Sequence, residues 1–192
     1  MLATHQTLPI LKSTCTIITK MQNRLPSVAL SLLVASGIVG CHSGSIAEIV
    51  PEQMSRTPSS ASTHTALVQS IHRQINEYRQ SRNLPPLTLN SQISAQAFAH
   101  SQAMASGKVP FSHDGFEQRV QVIRQTIPYR AAAENVAFNQ GYSNPDVQAV
   151  QGWLKSPGHR VNIEGQYDLT GIGIAQNPQG EYYFTQIFIR SR

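Results

Sequence analysis

The apolar residues of this chain repeat with a helical period over most of its length and with a strand period at its end. That order leaves few ways to bury both. From Ala66 to about Arg82, Leu67, Ile71, Ile75 and Tyr78 recur at spacings of four, four and three, which is one helical face. Asn83-Leu84-Pro85-Pro86 ends that helix. Asn90 or Ser91 can cap a second helix to about Ser106, with Ile93, Ala97, Ser101 and Met104 on one face and Gly107 as stop. Phe116 to Gln125 forms a short third helix, and Asn144-Pro145 opens a fourth carrying Val147, Val150, Trp153 and Leu154. Leu169–Ala175 alternates as a strand and Tyr182–Ile189 is aromatic and β-branched, with a turn at Asn177-Pro178-Gln179-Gly180 between them. Glu134 to Phe138 reads as a further short strand. Helices first and an antiparallel hairpin last predict an α+β fold with helices packed on the sheet.

Both cysteines, Cys15 and Cys41, lie in the N-terminal segment. The folded part therefore has no disulfide, thiolate nucleophile or cysteine metal site, and must hold together by core packing. Its charge is mild. Lys12, Lys20 and Arg24 precede Cys41 and no acid does, so 12 basic and 10 acidic residues remain, a balance of +2. With no basic cluster, nucleic acid is not an expected partner.

Residues 1–40 read as a signal peptide. The apolar run Val28–Val39 is too short to span a bilayer and suits a signal core, with Arg24 as its positive flank. Translation from Met21 would give a signal of ordinary length. Ile38-Val39-Gly40-Cys41 resembles the lipobox of bacterial lipoproteins, which implies cleavage before Cys41 and lipid on its sulfur. An ordinary cleaved signal and an uncleaved anchor are the alternatives. Residues 41–62, rich in Ser, Thr, Pro and Gly, read as a flexible tether, and 63–192 as the folded domain.

The fourth helix runs into Ser156-Pro157-Gly158-His159, where Pro157 and Gly158 are expected to stop it and hold His159 on a turn. His113, Glu134 and His159 stand out as chemistry-bearing residues. Two imidazoles and a carboxylate suffice for zinc with one position open, or for a general acid and base. Surface or capping roles are the alternative. Arg119 and Arg160 can pair with carboxylates or lie at the surface, and His100 reads as a helix-boundary residue. Gly171-Ile172-Gly173 lacks the third glycine and following helix of a nucleotide loop and reads as close strand packing. Neither a Gly-x-Ser-x-Gly elbow nor a His-Glu-x-x-His helix is present.

Several motifs occur in one order: Phe111-Ser112-His113, Ala133-Glu134-Asn135-Val136-Ala137, Trp153 with Ser156-Pro157-Gly158-His159-Arg160-Val161-Asn162-Ile163, Gly171-Ile172-Gly173, and Tyr182-Tyr183-Phe184-Thr185-Gln186. Together they resemble the bacterial branch of the CAP superfamily, the SCP domain of cysteine-rich secretory proteins, antigen 5 and pathogenesis-related proteins. The resemblance covers roughly Ala66 to Arg192. It implies an α-β-α sandwich with a central antiparallel sheet flanked by helices, and a cleft that in some members holds a divalent metal such as zinc. His113 matches the family's first histidine and Glu134 its first acid. The second acid of eukaryotic members falls at Ser156 and their second histidine at Tyr183, while the bacterial pattern offers His159. Asp114 and Glu117 are spare carboxylates nearby. The resemblance implies an extracytoplasmic binding module, membrane-tethered through Cys41, for a metal, a lipid or a cell-surface ligand. A metal-dependent hydrolase using His113, Glu134 and His159, and a structural protein without metal, are the alternatives.

Overall fold

The computed structural model describes residues 60–192, with side chains from residue 63. The signal segment, the lipobox-like Cys41 and nearly all of the tether lie outside the described residues. Helices α1 (Ser60–Ser81), α2 (Ser91–Ala105), α3 (Phe116–Arg124), α4 (Pro145–Lys155) and α5 (Pro157–Ile163) surround strands β1 (Thr88–Leu89), β2 (Tyr129–Gln140), β3 (Leu169–Gln176) and β4 (Glu181–Ser191). Among the described residues no helix is long and apolar enough to cross a membrane.

The sheet runs β1-β3-β4-β2. β4 pairs antiparallel with both β2 and β3, and the two-residue β1 adds a parallel pair to β3. The central sheet is thus antiparallel except at that edge. One face carries Ile71, Ile75, Trp153, Ile163, Phe184 and Phe188, from α1, α4, α5 and the sheet. The other carries Ile93, Ala97, Phe116, Val120, Ile123 and Ile187, from α2, α3 and the sheet. Two buried layers around one sheet give the α-β-α sandwich.

Local chemistry sets the element ends. The Asn90 side chain accepts from the Gln92 and Ile93 amides and caps α2, and Gly107 at φ +70 ends it. Gly171 and Gly173 let β3 lie directly on α2, where a Cβ would overlap backbone atoms of Ile93 and Ser94, or of Ala97 and Phe98. Three expectations need correction. α1 begins at Ser60, not Ala66, so the helix reaches into the tail of the segment read as a tether. β2 has 12 residues rather than five, because its partner β4 continues past both ends of the short apolar core. Pro157 does not leave His159 on a turn. The break is one residue, Ser156, in extended conformation, and Pro157 then opens α5 from its first position, where its missing N–H costs nothing.

The outer edge of β2 is closed by side chains. Trp153 Nε1 donates to the Val136 carbonyl at 3.0 Å, and Asn162 Nδ2 to the Glu134 carbonyl at 3.3 Å. An edge covered in this way does not template further strands.

Candidate functional site

β2 positions the site because successive side chains leave a strand on opposite faces. Ala132 belongs to the layer of α2 and α3, and Ala133 to the layer of α1, α4 and α5. Glu134 follows Ala132 toward α3, and Asn135 follows Ala133 toward α5. Asn135 Nδ2 donates to the His159 carbonyl at 3.1 Å, and Asn162 Nδ2 donates to Asn135 Oδ1 at 2.9 Å. This buried pair fastens α5, with His159 in its first turn, to the strand that carries Glu134.

Glu134 is buried and fully engaged. Arg119 Nη2 approaches both carboxylate oxygens at 2.8 Å and its Nε donates to Oε2 at 3.0 Å. The His113 Nδ1–H donates to Oε1 at 3.0 Å. Arg119 Nη1 also donates to the Asp114 carbonyl at 2.8 Å, so one guanidinium braces both the acid and the loop of His113. His100 Nε2–H donates to the Ser112 carbonyl at 2.9 Å and holds the same loop from α2. Burial, reinforced by Arg119, pushes the His100 pKa down, so this ring acts as a neutral donor.

His159 is 4% exposed. Burial, with a smaller contribution from His113, pushes its pKa down to about 4, so it is neutral at physiological pH. Among the described residues neither of its ring nitrogens has a hydrogen-bond partner, nor has His113 Nε2. His159 lines a cavity of about 60 Å³ between β2 and α4, walled by Val136, Phe138, Ala149 and Trp153.

The remaining candidates separate. Asp114 is exposed and contributes its carbonyl. Glu117 is half-buried in the first turn of α3. Ser156 is buried at the α4–α5 break. Tyr183 packs against Phe138 with ring centroids 5.1 Å apart and donates to Glu181 at 3.2 Å, toward the hairpin end. Arg119, whose role the sequence left open, and His100, read there as a helix-boundary residue, both brace the His113 loop. The only signal for Arg119 was its position three residues after Phe116, at the edge of the apolar face of a short helix.

The set does not fit a divalent ion as arranged. Of the three side chains only the two imidazoles have nitrogens to spare, since both Glu134 oxygens accept from Arg119, whose fixed positive charge beside the site opposes a cation. Among the described residues no group of three His, Cys, Asp or Glu side chains could hold a metal ion. What the arrangement offers instead is two imidazoles with unsatisfied nitrogens beside a neutralised ion pair.

Comparison with known proteins agrees with the fold. Residues 72–188, more than half of the chain, match the Cysteine-rich secretory protein family, CAP. The Bacillus subtilis (strain 168) protein YkwD, itself uncharacterized, is 30% identical over 151 residues, covering 77% of this chain and 56% of that one. A crystal structure of an extracellular SCP-domain protein from Bacillus anthracis str. Ames is 30% identical with a TM-score of 0.54, covering 76% of this chain and 45% of that one. An outer surface protein from Borrelia burgdorferi shares the fold at 18% identity and a TM-score of 0.54, covering 66% of this chain and 94% of that one. The chain therefore spans about half the length of the Bacillus relatives it matches. With the matching order of motifs, the α-β-α sandwich and a family match across the whole site region, this chain belongs to the CAP family, the cysteine-rich secretory proteins.

Proposed function

We propose that this chain is an exported binding module, tethered to a membrane through Cys41, that holds a polar cell-surface ligand at His113 and His159 without turning it over. One observation carries the reading: three imidazole nitrogens, one on His113 and two on His159, lie buried without partners among the described residues, while the carboxylate against His113 is already paired with Arg119. Unpaired buried polar groups cost about 1–3 kcal/mol each, so a ligand that pairs them gains affinity from relief of that cost. Export is supported by the Val28–Val39 core and Cys41, and by the extracellular description of the Bacillus anthracis relative. A purely apolar lipid would leave these nitrogens unpaired. The metal-dependent hydrolase has less support, because Glu134 is committed to Arg119 and His113 and is not free to activate a water.

The test is an imidazole-selective NMR titration of the full chain with solubilised cell-wall saccharide fragments, with the fragment mixture weighed by mass spectrometry before and after. Shifts of the His113 and His159 rings with an unchanged mixture are expected. New, smaller fragments would establish hydrolysis instead, and rings that do not move would remove the reading.

A further inference from the structure

The cavity between β2 and α4 has a more specific chemistry than the site as a whole. Asn139 and His159 both line it. Asn139 is 6% exposed, and its Nδ2 donates to the Pro145 carbonyl at 2.8 Å, which fixes the amide so that Oδ1 is the group left over. Among the described residues Asn139 Oδ1 has no partner, and neither has either ring nitrogen of the 4%-exposed His159. One wall thus supplies an acceptor with no donor, and another supplies an imidazole able to donate. Val136, Ala149 and Trp153 line the same cavity with apolar surface.

We propose that this cavity binds the acetamido group of an N-acetylated sugar. The amide N–H donates to Asn139 Oδ1, the carbonyl accepts from the His159 N–H, and the methyl packs on Val136, Ala149 and Trp153. The cavity is small, about 60 Å³ or the space of roughly two waters, which suits an acetyl group inserted with its sugar ring left outside. Burial keeps His159 neutral, so the site is a hydrogen-bonding one and not a cationic trap for anions. Tyr142, 36% exposed, and Phe138 line the same cavity, and aromatic faces of this kind suit the C–H face of a sugar ring. A secondary amide also occurs in peptides. An extended peptide would need the outer edge of β2, and there the carbonyls of Glu134 and Val136 already accept from Asn162 and Trp153.

This assignment rests on the binding-module reading and names the ligand class of its His159 side. The experiment uses the full chain with N-acetylglucosamine, glucosamine, glucose and N-acetylglycine methylamide, read by saturation-transfer difference at the ligand and by amide shifts of the protein. Saturation of the acetyl methyl of N-acetylglucosamine is expected, with at least tenfold weaker binding of glucosamine and glucose. Asn139→Leu and His159→Phe should each weaken binding at least tenfold. Gly152→Leu, on the cavity wall where a Cβ meets nothing within 4 Å, should block it and serves if either of the others fails to fold. Equal binding of glucose or glucosamine overturns the proposal, as does tighter binding of the peptide amide. Absence of any N-acetylglucosamine contact leaves water as the cavity's occupant and overturns it too. If the cell-wall fragments still shift His113 in that case, the binding-module reading survives; if nothing shifts either ring, both fail.

Discussion

His159 is a base whose surroundings withhold its proton. In the unfolded chain its pKa is near 6.5, and in the fold burial takes it down to about 4. Well above pH 6.5 the ring is neutral in both states and its titration contributes nothing to stability. As pH falls from 6.5 toward 4 the unfolded chain takes up a proton that the folded one refuses, so stability drops through that window and levels off below it. The loss is on the order of 3 kcal/mol. Urea unfolding of His159→Asn between pH 7.5 and 4.5 should show a flatter profile than the parent by roughly that amount. Parallel profiles would mean that His159 takes up its proton in the fold as readily as in the unfolded chain. Glu134 differs in having a close partner: Arg119 Nη2 stands 2.8 Å from its carboxylate. The two sides of the site thus differ in kind, an ion pair braced behind His113 and an uncharged ring facing the cavity.

At the scale of elements, β3 and α2 pack backbone against backbone. The space for this junction exists only because Gly171 and Gly173 lack side chains. Gly173→Ala would press a methyl into the backbone of Ala97 and Phe98, which cannot give way as a flexible side chain would. A loss of about 2–3 kcal/mol in thermal or urea unfolding is expected. Gly152→Ala meets open space within α4 and should change stability by less than about 1 kcal/mol, toward stabilisation. Equal effects of the two would sink the close-packing account. That junction was legible in the sequence, because two glycines alternating with isoleucines in a strand mark a face pressed against another backbone. So were the limits of α2, where Asn90 and Gly107 carry the capping chemistry themselves. The two-residue β1 was not, since nothing in Thr88-Leu89 distinguishes a bridge from a loop. α5 was missed because Pro157 both ends helices and begins them, and only the extended Ser156 between the two decides which. His113, Glu134 and His159 were picked out by residue type and motif. Their partners were not, because Arg119 lies 15 positions from Glu134 and an ion pair at that separation leaves no periodic trace.

Across the whole molecule, one residue outside the cavity lining joins several elements. Arg79, near the end of α1, is 1% exposed, with burial lowering its pKa. It donates to the carbonyls of Pro85, Ile163, Gly165 and Tyr167, at 2.8, 2.6, 2.9 and 3.2 Å. Those carbonyls belong to the turn after α1, to the last residue of α5 and to the segment joining α5 to β3. Planar guanidinium geometry suits this task, since several donors diverge from one rigid group. Arg79→Met would keep the apolar stem but strand four carbonyls, and a loss of about 3–5 kcal/mol is expected in urea unfolding. Arg79→Lys should recover only part of it, because a single ammonium cannot reach all four. Hydrogen exchange in Arg79→Met should speed up first over 163–167. Because that segment continues α5, the His159 ring resonances should shift as well, although Arg79 lies on a different helix. A Met variant that loses less than about 1 kcal/mol, or that leaves His159 unmoved, would show that α5 is held by Asn135 and Asn162 alone and that the cavity is independent of α1.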